Sequence, residues 1–374
     1  VFEGVERALA DAVTAGVTPG GVLAVRAGSA TAATIPFGRT HGPLPAPAGG
    51  RAAGETGVAV TAETVYDIAS LTKPVASLAI FLRLWQAGRI ALETRAADLV
   101  PEMTTPEDVR LAHLVGHASG LPDYLPFYQR LWAGERAGAD TARDALVRMA
   151  GQTALVDTPG TTARYSDLGY ILLGAALERA GGARLDELAR ALVLDPLAMS
   201  ETRYVDLERP HATGAASHIA PTELCPRRGL VWGEVHDENA HAAGGVAGHA
   251  GLFSTAGDLM RFAAAMNAAV RGERGLFDPT RARALATTPS VAGATWRLGW
   301  ETPSPQPGVS NAGDRWPRDG VGHLGFTGCS IWLDPPRDRA VVLLTNRVHP
   351  SRERGGIREL RRAVMDGVVA ALDD

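Results

Sequence analysis

Apolar residues recur at helical spacing from the start of the chain. Phe2, Val5, Leu9 and Val13 share one face, which predicts a helix over residues 2–15. Residues 20–25 and 31–38 are short apolar runs that read as the two strands of a hairpin. Residues 40–60 are rich in Gly, Ala and Pro and read as a surface loop. A short strand over 65–68 leads to Ser70. Val75, Leu78, Ala79, Leu82 and Trp85 then mark one face of a helix that stops at Gly88. Pro74 falls in its first turn, where a missing N–H costs little. Helical spacing dominates from about 90 to 240, with helices predicted over 140–149, 168–180 and 185–192. Beyond 250 the pattern is mixed. A helix is predicted over 259–269 and a strand over 298–300. Apolar runs at 329–333 and 340–345 are joined by Asp334-Pro335-Pro336-Arg337-Asp338, a hairpin connection. Ile357, Leu360, Val364, Val368 and Leu372 lie on one side of a final helix.

Strands at both ends with helices between predict an α/β (α+β) fold. The two chain ends would build one antiparallel sheet flanked by helices, and an all-helical lobe would be inserted between them. The expected layout is a single catalytic domain over 1–374, with an α/β lobe at about 1–88 and 245–374 and a helical lobe at about 89–244. Apolar content of 45% and charged content of 21% fit an ordinary globular protein. A net charge of −4, with both signs interspersed, argues against nucleic acid or an anionic membrane as partner. No run approaches the ~18 apolar residues of a spanning helix. The chain opens Val-Phe-Glu-Gly, without a basic-then-apolar leader, so a cytoplasmic location is expected before a periplasmic or secreted one. Cys225 and Cys329 match no metal or redox spacing and are expected as free thiols rather than a disulfide.

One compositional fact changes the picture. Lys73 is the sole lysine among 37 basic residues; the other positions all carry arginine. A guanidinium stays protonated, whereas a desolvated amine can lose its proton and act as a base. Three residues earlier stands Ser70, in Ser70-Leu71-Thr72-Lys73. On one helix face, that pairing places a nucleophile beside its own proton acceptor. The Ser70 backbone N–H, at a helix N-terminus, would point at an oxyanion. A second cluster, Pro159-Gly160-Thr161-Thr162-Ala163-Arg164-Tyr165-Ser166-Asp167, sets Tyr165 just before a helix start that Ser166 would cap. A tyrosinate near a lysine would be a second acid/base. A third, Gly322-His323-Leu324-Gly325-Phe326-Thr327-Gly328, precedes an apolar strand. Its small residues would let a substrate backbone approach, and His323 would orient or charge-stabilise it. Glu234, His236, Asp237, Glu238, His241 and His249 form a polar segment with no zinc-binding spacing. It is expected to line the groove, with His236 or Asp237 as substrate contacts, and no metal or other cofactor is expected.

In that order, Ser-x-x-Lys, Tyr-x-Asp and His-x-Gly resemble the serine β-lactamase-like superfamily. That group includes class C β-lactamases, D-alanyl-D-alanine carboxypeptidases of the penicillin-binding type and family VIII carboxylesterases. Leu114-Val115-Gly116-His117-Ala118-Ser119-Gly120-Leu121-Pro122, Gly251-Leu252-Phe253-Ser254-Thr255 and Gly325-Phe326-Thr327-Gly328 resemble it too. The resemblance implies that Ser70 is acylated and that Lys73 and Tyr165 share the acid/base work. It also implies that the N–H groups of Ser70 and Phe326 form the oxyanion hole. The site would lie between the two lobes of a β-lactamase/transpeptidase-like fold.

The departures shape the functional expectation. Asp167 stands where the family usually has asparagine, and His323 where class C β-lactamases have lysine. Both weaken the case for β-lactam turnover and favour small esters or D-configured amides. Asn346 and Arg347 end the last strand, and in relatives that strand end lies near the substrate carboxylate. With Asp167, His323 and Gly325 they complete the expected substrate-binding set. The leading expectation is a carboxylesterase that forms an acyl-enzyme on Ser70. The alternatives are D-alanyl-D-alanine carboxypeptidase or β-lactamase chemistry at the same site, or a slowly deacylating penicillin sensor.

Overall fold

The computed structural model describes residues 1–43, 56–105, 107–135, 141–209 and 218–373. Most of the expected 40–60 loop, and Asp140 at the start of an expected helix, lie outside them.

The two chain ends do build one antiparallel sheet. Its strands run in the order Ala30–Gly38, Gly20–Ala27, Arg339–Thr345, Ser330–Asp334, Val321–Leu324. The central strand Arg339–Thr345 reads as an unbroken apolar run because both of its faces are covered. Val341 and Leu343, with Leu23, Val25 and Trp332, pack against Val5 and Leu9 of helix Glu3–Thr14 and Leu360, Val364 and Val368 of helix Ile357–Asp373. Ala340, Val342 and Leu344, with Val22, Ala24, Ile331 and Leu333, face the main core, which holds helices Ala79–Gln86 and Ala256–Arg271. The period of two therefore divides one strand between two cores.

The helical part holds Ala96–Leu99, Leu111–Val115, Phe127–Trp132, Ala142–Gly151, Asp167–Gly181 and Leu185–Ala189. Asp167–Gly181 is buried nearly all round, as its run from Leu168 to Leu177 implies. Ser166 caps it by accepting the Gly169 N–H at 3.1 Å, and Gly182 at φ +75° ends it. The chain then leaves the helical pattern before residue 244. Arg203–Tyr204 pairs with Leu252–Ser254, which also pairs with Tyr66–Asp67. That small three-stranded sheet lies beside the nucleophile segment.

Residues 298–300 are not a strand. Gly299, at φ +89°, turns the chain between single bridges at Trp296–Glu301 and Glu301–Gly322. Leu298 and Trp300 are apolar because they pack into the core, not because they sit in a ladder. Both cysteines are free thiols, Cys329 buried and Cys225 half-buried. Among the described residues no helix is long and apolar enough to cross a membrane.

Candidate active site

The segment around Ser70 is not one regular helix. Ala69 sits at φ +47°, Ala69–Leu71 forms a single 3-10 turn, and Lys73–Leu78 winds as a π-helix before the α-helix begins at Ala79. Such windings cost stability and cluster at functional sites. Asp67 holds the entry in place. Its carboxylate accepts the Ala69 N–H at 2.8 Å and the His236 N–H at 2.7 Å, while its backbone carbonyl accepts Thr327 Oγ1 at 2.8 Å. One residue thus ties the nucleophile turn to two other walls of the site.

Lys73 has no solvent exposure. Its Nζ lies 2.9 Å from Ser70 Oγ, 3.0 Å from the His249 carbonyl and 2.7 Å from Asp167 Oδ1. Burial lowers the pKa of this amine, with Asp167 and Asp237 pulling the other way. The Asp167 carboxylate therefore favours the charged amine, but less than desolvation disfavours it.

The Tyr165 O–H donates to Ser70 Oγ at 2.8 Å. Burial, then the Asp167 charge, push this phenol well above the ordinary tyrosine value. A resting tyrosinate is thereby corrected: Tyr165 is a proton donor before it is anything else. His117 fixes it, accepting the Ser166 N–H at 3.1 Å on Nδ1 with its ring 4.6 Å from the Tyr165 ring. Tyr165→Phe is expected to cost about 10²-fold in kcat, in line with general acid–base contributions. Steady-state turnover checks this, and a loss under threefold would remove the phenol from proton transfer.

Glycine brings the opposite wall close. A Cβ on Gly325 would lie 2.6 Å from the Ile68 carbonyl, so only glycine lets this loop rest on the Ser70 segment. The next amide, that of Phe326, has no acceptor among the described residues. His323 is 1% exposed. Its Nδ1–H donates to the Leu324 carbonyl at 3.0 Å, which leaves Nε2 as a bare acceptor. Burial, then Lys73, push its pKa down to about 3. The expected charge-stabilising role is therefore corrected, because this imidazole is neutral at physiological pH.

A cavity of about 660 Å³ opens above Ser70. Tyr165, Asp167, His236, Asp237, His323, Gly325, Phe326 and Arg347 all line it, and Lys73 lies beneath its floor. Arg347 covers the Phe326 ring, 4.5 Å from its centroid, and its Nε donates to the Phe326 carbonyl at 2.9 Å. Asn346 is not part of the wall. It is buried, and its Nδ2 donates to the Thr40 and Pro221 carbonyls, each at 2.7 Å. The expected substrate contact is instead a structural tie, since alternation along the strand end turns it inward.

The histidines of the 234–249 segment each meet a carboxylate. His236 pairs with Glu223 at 3.1 Å, His241 with Glu234 at 3.2 Å and His249 with Asp237 at 2.9 Å. Among the described residues no three such side chains converge as metal ligands. Sequence reasoning missed Asp67, Trp296 and Glu301. Asp67 had a signal, a lone carboxylate inside the apolar run Val65-Tyr66-Asp67-Ile68. Trp296 and Glu301 enter the cavity from a turn that the sequence does not place.

The profile of the beta-lactamase family matches residues 5–365. The chain belongs to the beta-lactamase family. Among relatives, an Escherichia coli (strain K12) protein named as a D-alanyl-D-alanine carboxypeptidase is 30% identical over 79% of this chain and 72% of its own. An N-acetylmuramyl-L-alanine amidase of Bacillus subtilis (strain 168) is 31% identical over 76% of this chain and 68% of its own. The structure of EstCE1, a hydrolase with promiscuous acyltransferase activity, superposes with a TM-score of 0.74 at 19% identity, covering 98% of each chain. The beta-lactamase family fold thus accounts for the whole architecture, and the chain is a serine beta-lactamase-like hydrolase.

Proposed function

We propose that this chain hydrolyses small carboxylic esters through an acyl-enzyme on Ser70. The observation that carries the reading is the convergence on Ser70 Oγ of a buried amine at 2.9 Å and a protonated phenol at 2.8 Å. The Lys73 amine, once neutral, takes the Ser70 proton as Oγ bonds to the substrate carbonyl carbon. The amides of Ser70 and Phe326 receive the charge that develops on the carbonyl oxygen. The tetrahedral adduct collapses as Tyr165 gives its proton to the departing alkoxide, and the Lys73 ammonium reprotonates Tyr165. Water then attacks the acyl carbon by the same steps in reverse, regenerating Ser70 and releasing the acid.

The neutral His323 supports esters over substrates with an anionic group beside the reacting carbonyl. It offers a lone pair where a lysine would offer charge. The second reading is a D-alanyl-D-alanine carboxypeptidase. It is favoured by Arg347, which lines the cavity beside Phe326 without an ion pair among the described residues and suits a terminal carboxylate, and by the name of the Escherichia coli relative. The test is a panel of short- and long-chain p-nitrophenyl esters, a chromogenic cephalosporin and a D-Ala-D-Ala peptide. Ester turnover that exceeds peptide turnover in kcat/KM supports the first reading. Peptide hydrolysis without ester hydrolysis supports the second, and a stable penicillin adduct without turnover would point to a sensor.

A further inference from the structure

Residues 325–329 carry the Phe326 amide but form no helix or strand of their own. With Gly325 and Gly328 among five residues, the segment has little intrinsic preference for one shape. Its conformation rests on how its carbonyls are satisfied. The Gly328 N–H donates to Gly325 O at 3.0 Å, the Gly325 N–H to Cys329 O at 2.7 Å, and the Arg347 N–H to Thr327 O at 2.8 Å. Arg347 Nε also donates to Phe326 O at 2.9 Å and Thr327 Oγ1 to Asp67 O at 2.8 Å, and further support comes from a distant element. Arg361, on helix Ile357–Asp373, donates through Nη2 to Gly325 O and Cys329 O, each at 2.8 Å, and through Nε to Gly328 O at 3.3 Å.

Arg361 is 7% exposed and makes no ion pair among the described residues. A buried arginine ordinarily faces a carboxylate. Here the guanidinium is spent on three backbone carbonyls of one short loop, and its planar fork suits that geometry as no other side chain does. Burial lowers its pKa only to about 10, so it remains charged at neutral pH. Glu301 lines the same cavity without an ion contact to Arg361, and burial raises its carboxyl to about 7, so it offers only part of an opposing charge at neutral pH. Leu360 and Val364, flanking Arg361 on the same helix, are packed against the sheet, so its origin is rigid.

We propose that Arg361 is a positioning residue for the oxyanion hole: it holds loop 325–329 so that the Phe326 N–H stays presented to the substrate carbonyl at Ser70. The proposal rests on the acyl-enzyme reading above. It concerns a residue more than thirty positions beyond the His323 cluster, acting through backbone alone.

The test compares an ester with its thionoester, whose larger sulfur fits a rigid oxyanion hole poorly. Wild type is expected to prefer the ester strongly. Arg361→Met should lower kcat on the ester by about 10²-fold, the scale of losing one oxyanion donor, with KM changed less than threefold. The ester-to-thionoester ratio should fall at least tenfold, and Arg361→Lys should recover part of both. A partly unfolded enzyme would lose both substrates alike and keep the ratio, so the ratio separates positioning from bulk stability. If Arg361→Met does not fold, Arg361→Lys supplies the same ratio. An unchanged ratio in an active variant, or a rise in KM confined to carboxylate-bearing esters, would overturn the proposal. A wild-type enzyme with no ester turnover and no acyl group on Ser70 is a different result, and would remove the acyl-enzyme reading beneath it.

Discussion

Ser70→Ala is expected to reduce ester turnover by about 10⁴-fold or more, the scale seen when a nucleophile is removed from a hydrolase whose groups act as a unit. Among the described residues, Ser70 Oγ is the only hydroxyl in hydrogen-bond contact with Lys73 Nζ. Ser70 Oγ is the atom on which Lys73 Nζ and Tyr165 Oη both converge. Deleting one oxygen leaves the amine bound to the His249 carbonyl and Asp167, and leaves the cavity its shape. The variant should therefore still bind substrate with little change in Kd. Equilibrium binding and stopped-flow turnover check the two halves. A variant retaining a tenth of the wild-type rate would mean that acylation occurs elsewhere.

Lys73→Arg is expected to cost about 10³-fold, within the range of general-base contributions. The charge survives the change but the proton acceptor does not. Because Lys73 is fully buried, the larger head group also strains the packing around it, at a cost of roughly 1–3 kcal/mol. Lys73→Met removes the base without adding bulk and should lose activity to a similar degree, with folding followed by circular dichroism. The wild-type pH profile gives an independent check. Burial holds the amine below its ordinary value of 10.5, so the neutral, active form is reached at lower pH than for a free lysine. kcat/KM should rise with pH to a plateau, with its midpoint below 10.5, and fall as acid reprotonates the amine. The stability effect has the same sign. The folded state binds this proton less well than the unfolded chain, so Lys73 destabilises the fold at low pH, and the penalty fades as pH rises toward 10.5. An activity that does not fall at any acid pH at which the enzyme stays folded would contradict the base assignment.

Much of this was legible in the sequence, for reasons that differ by element. Arg339–Thr345 announced itself because a strand buried on both faces has no polar alternation to obscure it. Lys73 stood out because a chain that otherwise uses arginine shows where arginine fails. Three things stayed hidden, each for a physical reason. The winding at 69–78 is imposed by the Asp67 carboxylate and by packing, neither of which leaves a periodic trace. The charge state of His323 depends on complete burial and on the nearby Lys73 charge, which its residue type does not reveal. Asn346 and Arg347 are neighbours with opposite fates, one tied to Thr40 and Pro221 and the other facing the cavity. Sequence position alone did not separate them.

The central claim is that Ser70 becomes reactive because an amine buried beneath it gives up its proton. Rapid-quench mass spectrometry during turnover of a p-nitrophenyl ester tests it most directly, run on wild type and Lys73→Met across pH. The account predicts a transient acyl mass on the peptide containing Ser70, forming faster as pH rises in wild type and at least 10²-fold slower in Lys73→Met. Acylation of Ser70 at equal rates in both proteins would contradict it, as would product release with no mass added to that peptide.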